Sequence, residues 1–306
     1  MTMIQTSGLT KEFGDITAVE DVDHAVERGD IHGFVGHNGA GKTTTMKMLT
    51  GLITPTSGEA RIGDEPAGTR AATEQIGYAP QNPEFYESMS GRDYLVYMGK
   101  LSALDGSPRD RADELLASLE LTDAADQAVG GYSGGMLRKL AVGQAMLAEP
   151  ELLILDEPTA ALDPEGRALI IDALETLTDE GTTVFVSSHV LSELEQFIDT
   201  VTFLKDGEVV ASGPLDEVLS STAAERFIVD ASDNDTLADL LTNHEAVTGV
   251  DRGDDDGLVV TATDPEAFAG ALPGVLDEAD LSLYFVDRQG GLEERFLDIL
   301  DDGGAE

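Results

Sequence analysis

Residues 36–43 spell GHNGAGKT, with small residues at Gly39, Ala40 and Gly41 running into Lys42 and Thr43. The spacing G-x-x-x-x-G-K-S/T, between an apolar run and a helical pattern, is suited to binding phosphate. Small residues let backbone N–H groups wrap a phosphate chain, and the helix N-terminus adds positive potential. Lys42 can reach the terminal phosphates, and the Thr43 hydroxyl is a hard ligand for Mg²⁺. A second stretch, LLILDE at 152–157, ends an apolar run on two acids. Asp156 suits the same ion, and Glu157 suits a base that orients and deprotonates a water. Alone, two acids could equally just end a strand; beside a phosphate loop they complement it. A third stretch, GGYSGGMLRK at 130–139, sets two glycine pairs and Ser133 ahead of a helical pattern. Glycine costs about 1 kcal/mol in a helix interior relative to alanine. The stretch is either a turn that starts a helix or a surface made to lie against a phosphate.

The elements around these residues follow from apolar patterning. Runs at 31–36, 151–157, 182–188 and 201–207 read as strands, the second an unbroken apolar run as in a parallel strand buried on both faces. Helical patterns start at Lys42, span 166–178 and begin again near Val190. Between Pro83 and Glu149 helices dominate. Ser90 with Asp93 reads as an N-cap, Pro108 suits a first turn, and Met136, Leu140 and Leu147 fall on one face. Strand–glycine loop–helix followed by further strands predicts an α/β fold on a parallel sheet, with a helical insertion over about 83–149. Past 222 the order becomes β-α-β-β-α-β with a last helix at LEERFLDIL, which predicts a small ferredoxin-like α+β domain over 223–306.

Composition narrows the role. The 306 residues hold 41% hydrophobic residues, enough for a real core. Lys and Arg number 18 against 60 Asp and Glu, a net charge of −42 that repels nucleic acid and anionic membrane surfaces. Spread along the whole chain, the acids fit a protein working in molar salt, where the Debye length is about 3 Å. There is no cysteine, so disulfides and thiolate metal sites are excluded. The N-terminus lacks the basic start and apolar core of a signal peptide. No apolar run approaches the roughly 20 residues that span a bilayer.

GHNGAGKTT, PTSG at 55–58, YAPQ, YSGGM, LLILDEPTAALDP and SSH, in that order, resemble the ATP-binding subunit of ATP-binding cassette (ABC) transporters over residues 3 to about 220. The resemblance implies a P-loop ATPase core, ATP and Mg²⁺ as ligands, and a nucleotide site formed by Gly36, Asn38, Gly39, Ala40, Gly41, Lys42, Thr43 and Thr44. It implies that Phe13, where the family usually has Tyr, stacks on adenine. Thr43, Gln81 and Asp156 would meet the metal. Glu157, His189, Gln81 and Asp163 would form the catalytic set, with Gln81 coupling to a membrane subunit and Asp163 crossing a subunit interface. In YSGGM the family places its signature, usually L-S-G-G-Q. Ser133, Gly134 and Gly135 would then face ATP held by a second ATPase subunit, either a copy of this chain or a different ATPase, while Met136 removes a polar side chain near the ribose.

The function so implied is a cytoplasmic ATPase that dimerises around two nucleotides and powers a separate multi-span permease from the inner face of the membrane. The tail GGLEERFLDIL, similar to the PSLEEVFL-like ending of ABC-2 type subunits but without Pro-Ser, favours an exporter. The rival is a non-transport ABC ATPase, regulatory or acting on ribosomes or DNA; neither a coiled-coil insertion nor a second cassette is present, and the charge opposes nucleic acid. DRGDDDG at 251–257 imitates a calcium loop, yet Arg252 holds its first ligand position, so a solvated hairpin is expected.

Overall fold

The computed structural model describes residues 1–289, apart from 103, 105, 189–190, 221–224, 243, 245 and 254–256. It divides into two compact units after Leu215, earlier than the 222/223 boundary read from sequence. The first opens on a hairpin of β1 (Thr2–Phe13) and β2 (Ile16–Glu27), and β3 (Ile31–Val35) then leads into α1 (Lys42–Leu49). Next come β4 (Ser57–Ile62), β5 (Glu65–Pro66), α2 (Arg70–Thr73) and β6 (Ile76–Ala79). The helical part holds α3 (Gly91–Leu101), α4 (Pro108–Ser118) and α5 (Gly134–Ala145). Then β7 (Leu152–Asp156), α6 (Pro164–Asp179), β8 (Thr183–Ser188), α7 (Leu191–Leu194), β9 (Thr200–Lys205) and β10 (Glu208–Pro214) complete it.

One sheet runs β10-β9-β3-β8-β7-β6, parallel except for β10 at its edge. β3, β7 and β8 are buried along their whole length, which is why β7 reads as an unbroken apolar run up to Asp156. Val35 lies opposite Ser188, and Ser187 opposite Asp156, so β3, β8 and β7 end at one level. In open parallel sheets that carboxyl edge is where ligands bind. A second, antiparallel sheet, β2-β1-β4-β5, covers α1 and the first sheet. Met3, Ile4, Leu9 and Val22 share a core with Met46, Phe34 and Phe185.

The helices are closed by the expected chemistry. Ser90 caps α3 by accepting from the Asp93 N–H, and Ser107 with Pro108 opens α4. Leu140 and Leu147 are buried, but α5 ends before Leu147. α6 starts at Pro164 rather than 166, because Asp163 caps it and proline suits its first turn. The helix expected near Val190 is the single turn of α7.

After α8 (Leu215–Ser220), the second unit runs β11 (Glu225–Ala231), α9 (Asn234–Leu241), β12 (Val247–Arg252), β13 (Leu258–Ala262), α10 (Pro265–Glu278) and β14 (Leu283–Gln289). Its antiparallel order β12-β13-β11-β14 is the ferredoxin-like arrangement, closed by Phe227, Val229, Leu237, Val260 and Phe268. Arg252 pairs with Leu258, so β12 and β13 form an antiparallel hairpin, while the acidic residues 254–256 lie outside the described residues. α10 continues through Pro273, which costs about 3 kcal/mol in a helix interior. Burial of Phe268, Leu272 and Leu276 along it offsets that cost. The last helix read from sequence, 292–300, lies outside the described residues.

Candidate functional site

The loop between β3 and α1 is shaped by close approach. Gly41 sits at φ 107°, and a Cβ there would meet the Ala18 carbonyl oxygen at 2.5 Å. At Gly36 a Cβ would lie 2.5 Å from the Leu204 carbonyl oxygen. Only glycine satisfies both positions. The Lys42 ammonium donates to the carbonyls of Gly36 (2.6 Å) and His37 (3.2 Å). Burial lowers its pKa, while the Glu157 and Asp156 carboxylates oppose that shift.

The end of β7 meets this loop across β8. The Thr43 hydroxyl donates to Asp156 Oδ2 at 2.7 Å, and the Ser187 hydroxyl donates to Oδ1 at 2.7 Å. Both carboxylate oxygens of a buried aspartate are thus engaged. The Glu157 N–H donates to the Ser187 carbonyl and hydroxyl, each at 3.1 Å. Ser187 thereby orders both acids, a role the sequence reading missed, since only the strand order sets it against β7.

A cleft of about 320 Å³ is lined by Ala18, Asn38, Gly39, Gly41, Lys42, Thr43, Thr44, Gln81 and Glu157. Gln81 and Glu157, far apart in sequence, therefore reach the same space as the phosphate loop. Ala40, within that loop, is fully buried and does not line the cleft. Phe13 does not line the cleft: it ends β1 with 51% of its surface exposed and Lys11 Nζ 5.1 Å above its ring. A larger cleft, about 640 Å³ between α4 and α6, contains none of the candidate residues.

Ser133 caps α5 by accepting from the Met136 N–H at 3.2 Å. Ser133 and Gly134 are exposed, and nothing lies within 4 Å of a Cβ placed on Gly134. Asp163 is exposed and accepts from the Gly166 N–H at 2.8 Å. Neither group lines the 320 Å³ cleft, so each of them presents an outward surface. His189 lies outside the described residues. Arg138, also missed from sequence, donates to the carbonyls of Pro80 and Gln81.

A phosphate loop, a paired Asp–Glu at a parallel strand end and a capped glycine turn on a helical insertion define a P-loop ATPase of the cassette type. A model of the family described as ABC transporter matches residues 19–160. The chain is 36% identical over 310 residues to the daunorubicin resistance ATP-binding protein DrrA3 of Streptomyces coeruleorubidus, covering 98% of this chain and 96% of that one. It is 34% identical to the daunorubicin/doxorubicin resistance ATP-binding protein DrrA of Streptomyces peucetius, over 96% and 91% of the two chains. With the bacitracin transport ATP-binding protein BcrA of Bacillus licheniformis it shares 39% identity over 71% of each. Among solved structures, a dimeric ATP-binding cassette in a post-hydrolysis state with ADP and Pi matches with a TM-score of 0.65 at 26% identity, over 70% of this chain and 99% of that one. The chain belongs to the ABC transporter ATP-binding proteins: it is an ATP-binding, ATP-hydrolysing subunit of an ABC transporter.

Proposed function

We propose that this chain hydrolyses Mg-ATP at the cleft of Lys42, Thr43, Gln81 and Glu157, as one half of a cassette pair that drives export through a separate permease. One observation supports this above others: the phosphate loop, Gln81 and Glu157 line a single cleft. The loop N–H groups and Lys42 hold the phosphates, Gln81 orients the attacking water, and Glu157 accepts its proton as the water oxygen bonds to the γ-phosphorus and ADP leaves. His189 would stand beside the γ-phosphate. The Phe13 ring, exposed at the hairpin tip, offers a face for adenine.

Thr43 and Asp156 offer hard oxygen donors of the kind Mg²⁺ selects. Among the described residues no group of three His, Cys, Asp or Glu could hold a metal, so phosphate oxygens would supply further ligands. Bound there, Mg²⁺ would offset the negative charge of the transferring phosphate. The exposed Ser133, Gly134 and Asp163, with the half-buried Gly135, suit contact with a second cassette and its nucleotide.

No described helix is long and apolar enough to cross a membrane, so transport needs another polypeptide. Just beyond Gln81, Tyr86 and Tyr97 form an edge-to-face pair at 5.8 Å and are 57% and 40% exposed, with Leu101 63% exposed on the same helix as Tyr97. Such a patch suits a permease surface at the inner face of the membrane. The relatives named for drug resistance and bacitracin transport support export. In membranes prepared from cells, replacing Tyr86 and Tyr97 with Ser should release the chain while the purified variant keeps its ATPase turnover within about twofold. Unchanged membrane association would overturn this docking.

A further inference from the structure

Arg138 joins two parts of the site that the sequence leaves unconnected. It lies on α5, the helix whose N-terminus is Ser133–Gly135. Its guanidinium donates to the Pro80 carbonyl at 3.2 Å and the Gln81 carbonyl at 2.8 Å. Both acceptors are backbone atoms of the stretch that brings Gln81 into the cleft, so the link holds the main chain and leaves the Gln81 side chain free to act. Burial opposes the Arg138 charge, and the Glu157 and Asp156 carboxylates favour it. Two charge-assisted bonds from one rigid fork fix both position and orientation.

We propose that Arg138 is a positioning residue that ties the Gln81 stretch to α5. A phosphate taken up at Ser133–Gly135 is then felt at Gln81 in this chain's own cleft. This rests on the reading of the cleft and of Ser133–Gly135 given above. A helix moves as a body, so displacement of its N-terminus is carried to Arg138 and, through two carbonyls, to the residue that orients water. The coupling is reciprocal: the state of this cleft also biases how α5 presents its glycines.

The test compares the full-length chain with Arg138→Ala and Arg138→Lys, measuring turnover against ATP concentration, binding of a fluorescent ATP analogue and the thermal midpoint. Arg138→Ala should bind the analogue within about twofold of the parent yet turn over roughly tenfold more slowly, since small misplacements of a reacting group cost one to two decades. Its Hill coefficient for ATP should fall towards one. Arg138→Lys, which keeps a charged donor, should recover part of both. Parental turnover and cooperativity in Arg138→Ala would overturn the proposal. So would a joint loss of binding and thermal midpoint in both variants, which would make Arg138 a packing residue. Glu157→Gln, run in parallel, separates the two readings: if it keeps parental turnover, the reading of the cleft fails; if it is inactive while Arg138→Ala is unaffected, only the Arg138 link fails.

Discussion

Asp156 and Glu157 are adjacent in sequence and placed for different work. Asp156 finishes β7 in regular extended backbone, buried, with each oxygen accepting from a hydroxyl. At Glu157 the backbone turns into the left-handed region, φ 55°, which is unusual for a residue with a Cβ and costs of order 1–3 kcal/mol. Its N–H bonds to Ser187 hold that turn and direct the side chain into the cleft instead of along the strand. Gln tolerates the same backbone and loses only the basic oxygen. Glu157→Gln should therefore bind ATP as the parent does and hydrolyse it on the order of 10²–10⁴ times more slowly. Single-turnover measurement with radiolabelled ATP checks this; turnover within a factor of two of the parent would remove Glu157 as the base.

At the scale of elements, the parallel strands were legible because both their faces are buried and their centres are apolar, as in Leu152–Leu155 of β7 and Val184–Val186 of β8. The β1–β2 hairpin was not. Its ladder shifts register at several points, which breaks the two-residue alternation that betrays a half-buried strand. GHNGAGKT and LLILDE announced their chemistry through spacing. Ser187 and Arg138 did not, because their roles arise only when β8 inserts between β3 and β7 and α5 packs on the Gln81 stretch. The hidden hairpin also carries a buried histidine. His24 on β2 packs 4.8 Å from His32, its Nε2 has no hydrogen-bond partner among the described residues, and burial lowers its pKa to about 4. The folded state thus keeps the ring neutral, whereas an unfolded histidine titrates near 6.5. The resulting stability is complete above about pH 6.5 and is lost as pH falls towards 4. Replacing His24 with Phe should shift the acid-unfolding midpoint, followed by circular dichroism, to lower pH. An unchanged midpoint would contradict the assignment.

For the whole molecule, charge and assembly are one problem. If the second cassette is another copy of this chain, two chains each carrying −42 meet face to face, and association is expected only where salt screens the field. The outward placement of Ser133–Gly135 has a purpose if a second cassette supplies the nucleotide they face. Asn38 is exposed at the rim of the phosphate loop and Ser133 is exposed at the start of α5, and the chain has no cysteine to compete. The most direct measurement mixes copies carrying Asn38→Cys with copies carrying Ser133→Cys, both in the Glu157→Gln background, in molar KCl under oxidising conditions. A disulfide forms only when Cα atoms come within about 4.4–6.8 Å. Mg-ATP should yield a covalent dimer that joins the two variants and is nearly absent without nucleotide. A yield that ATP does not change, or no dimer at all, would contradict a cleft completed by the glycines of its partner.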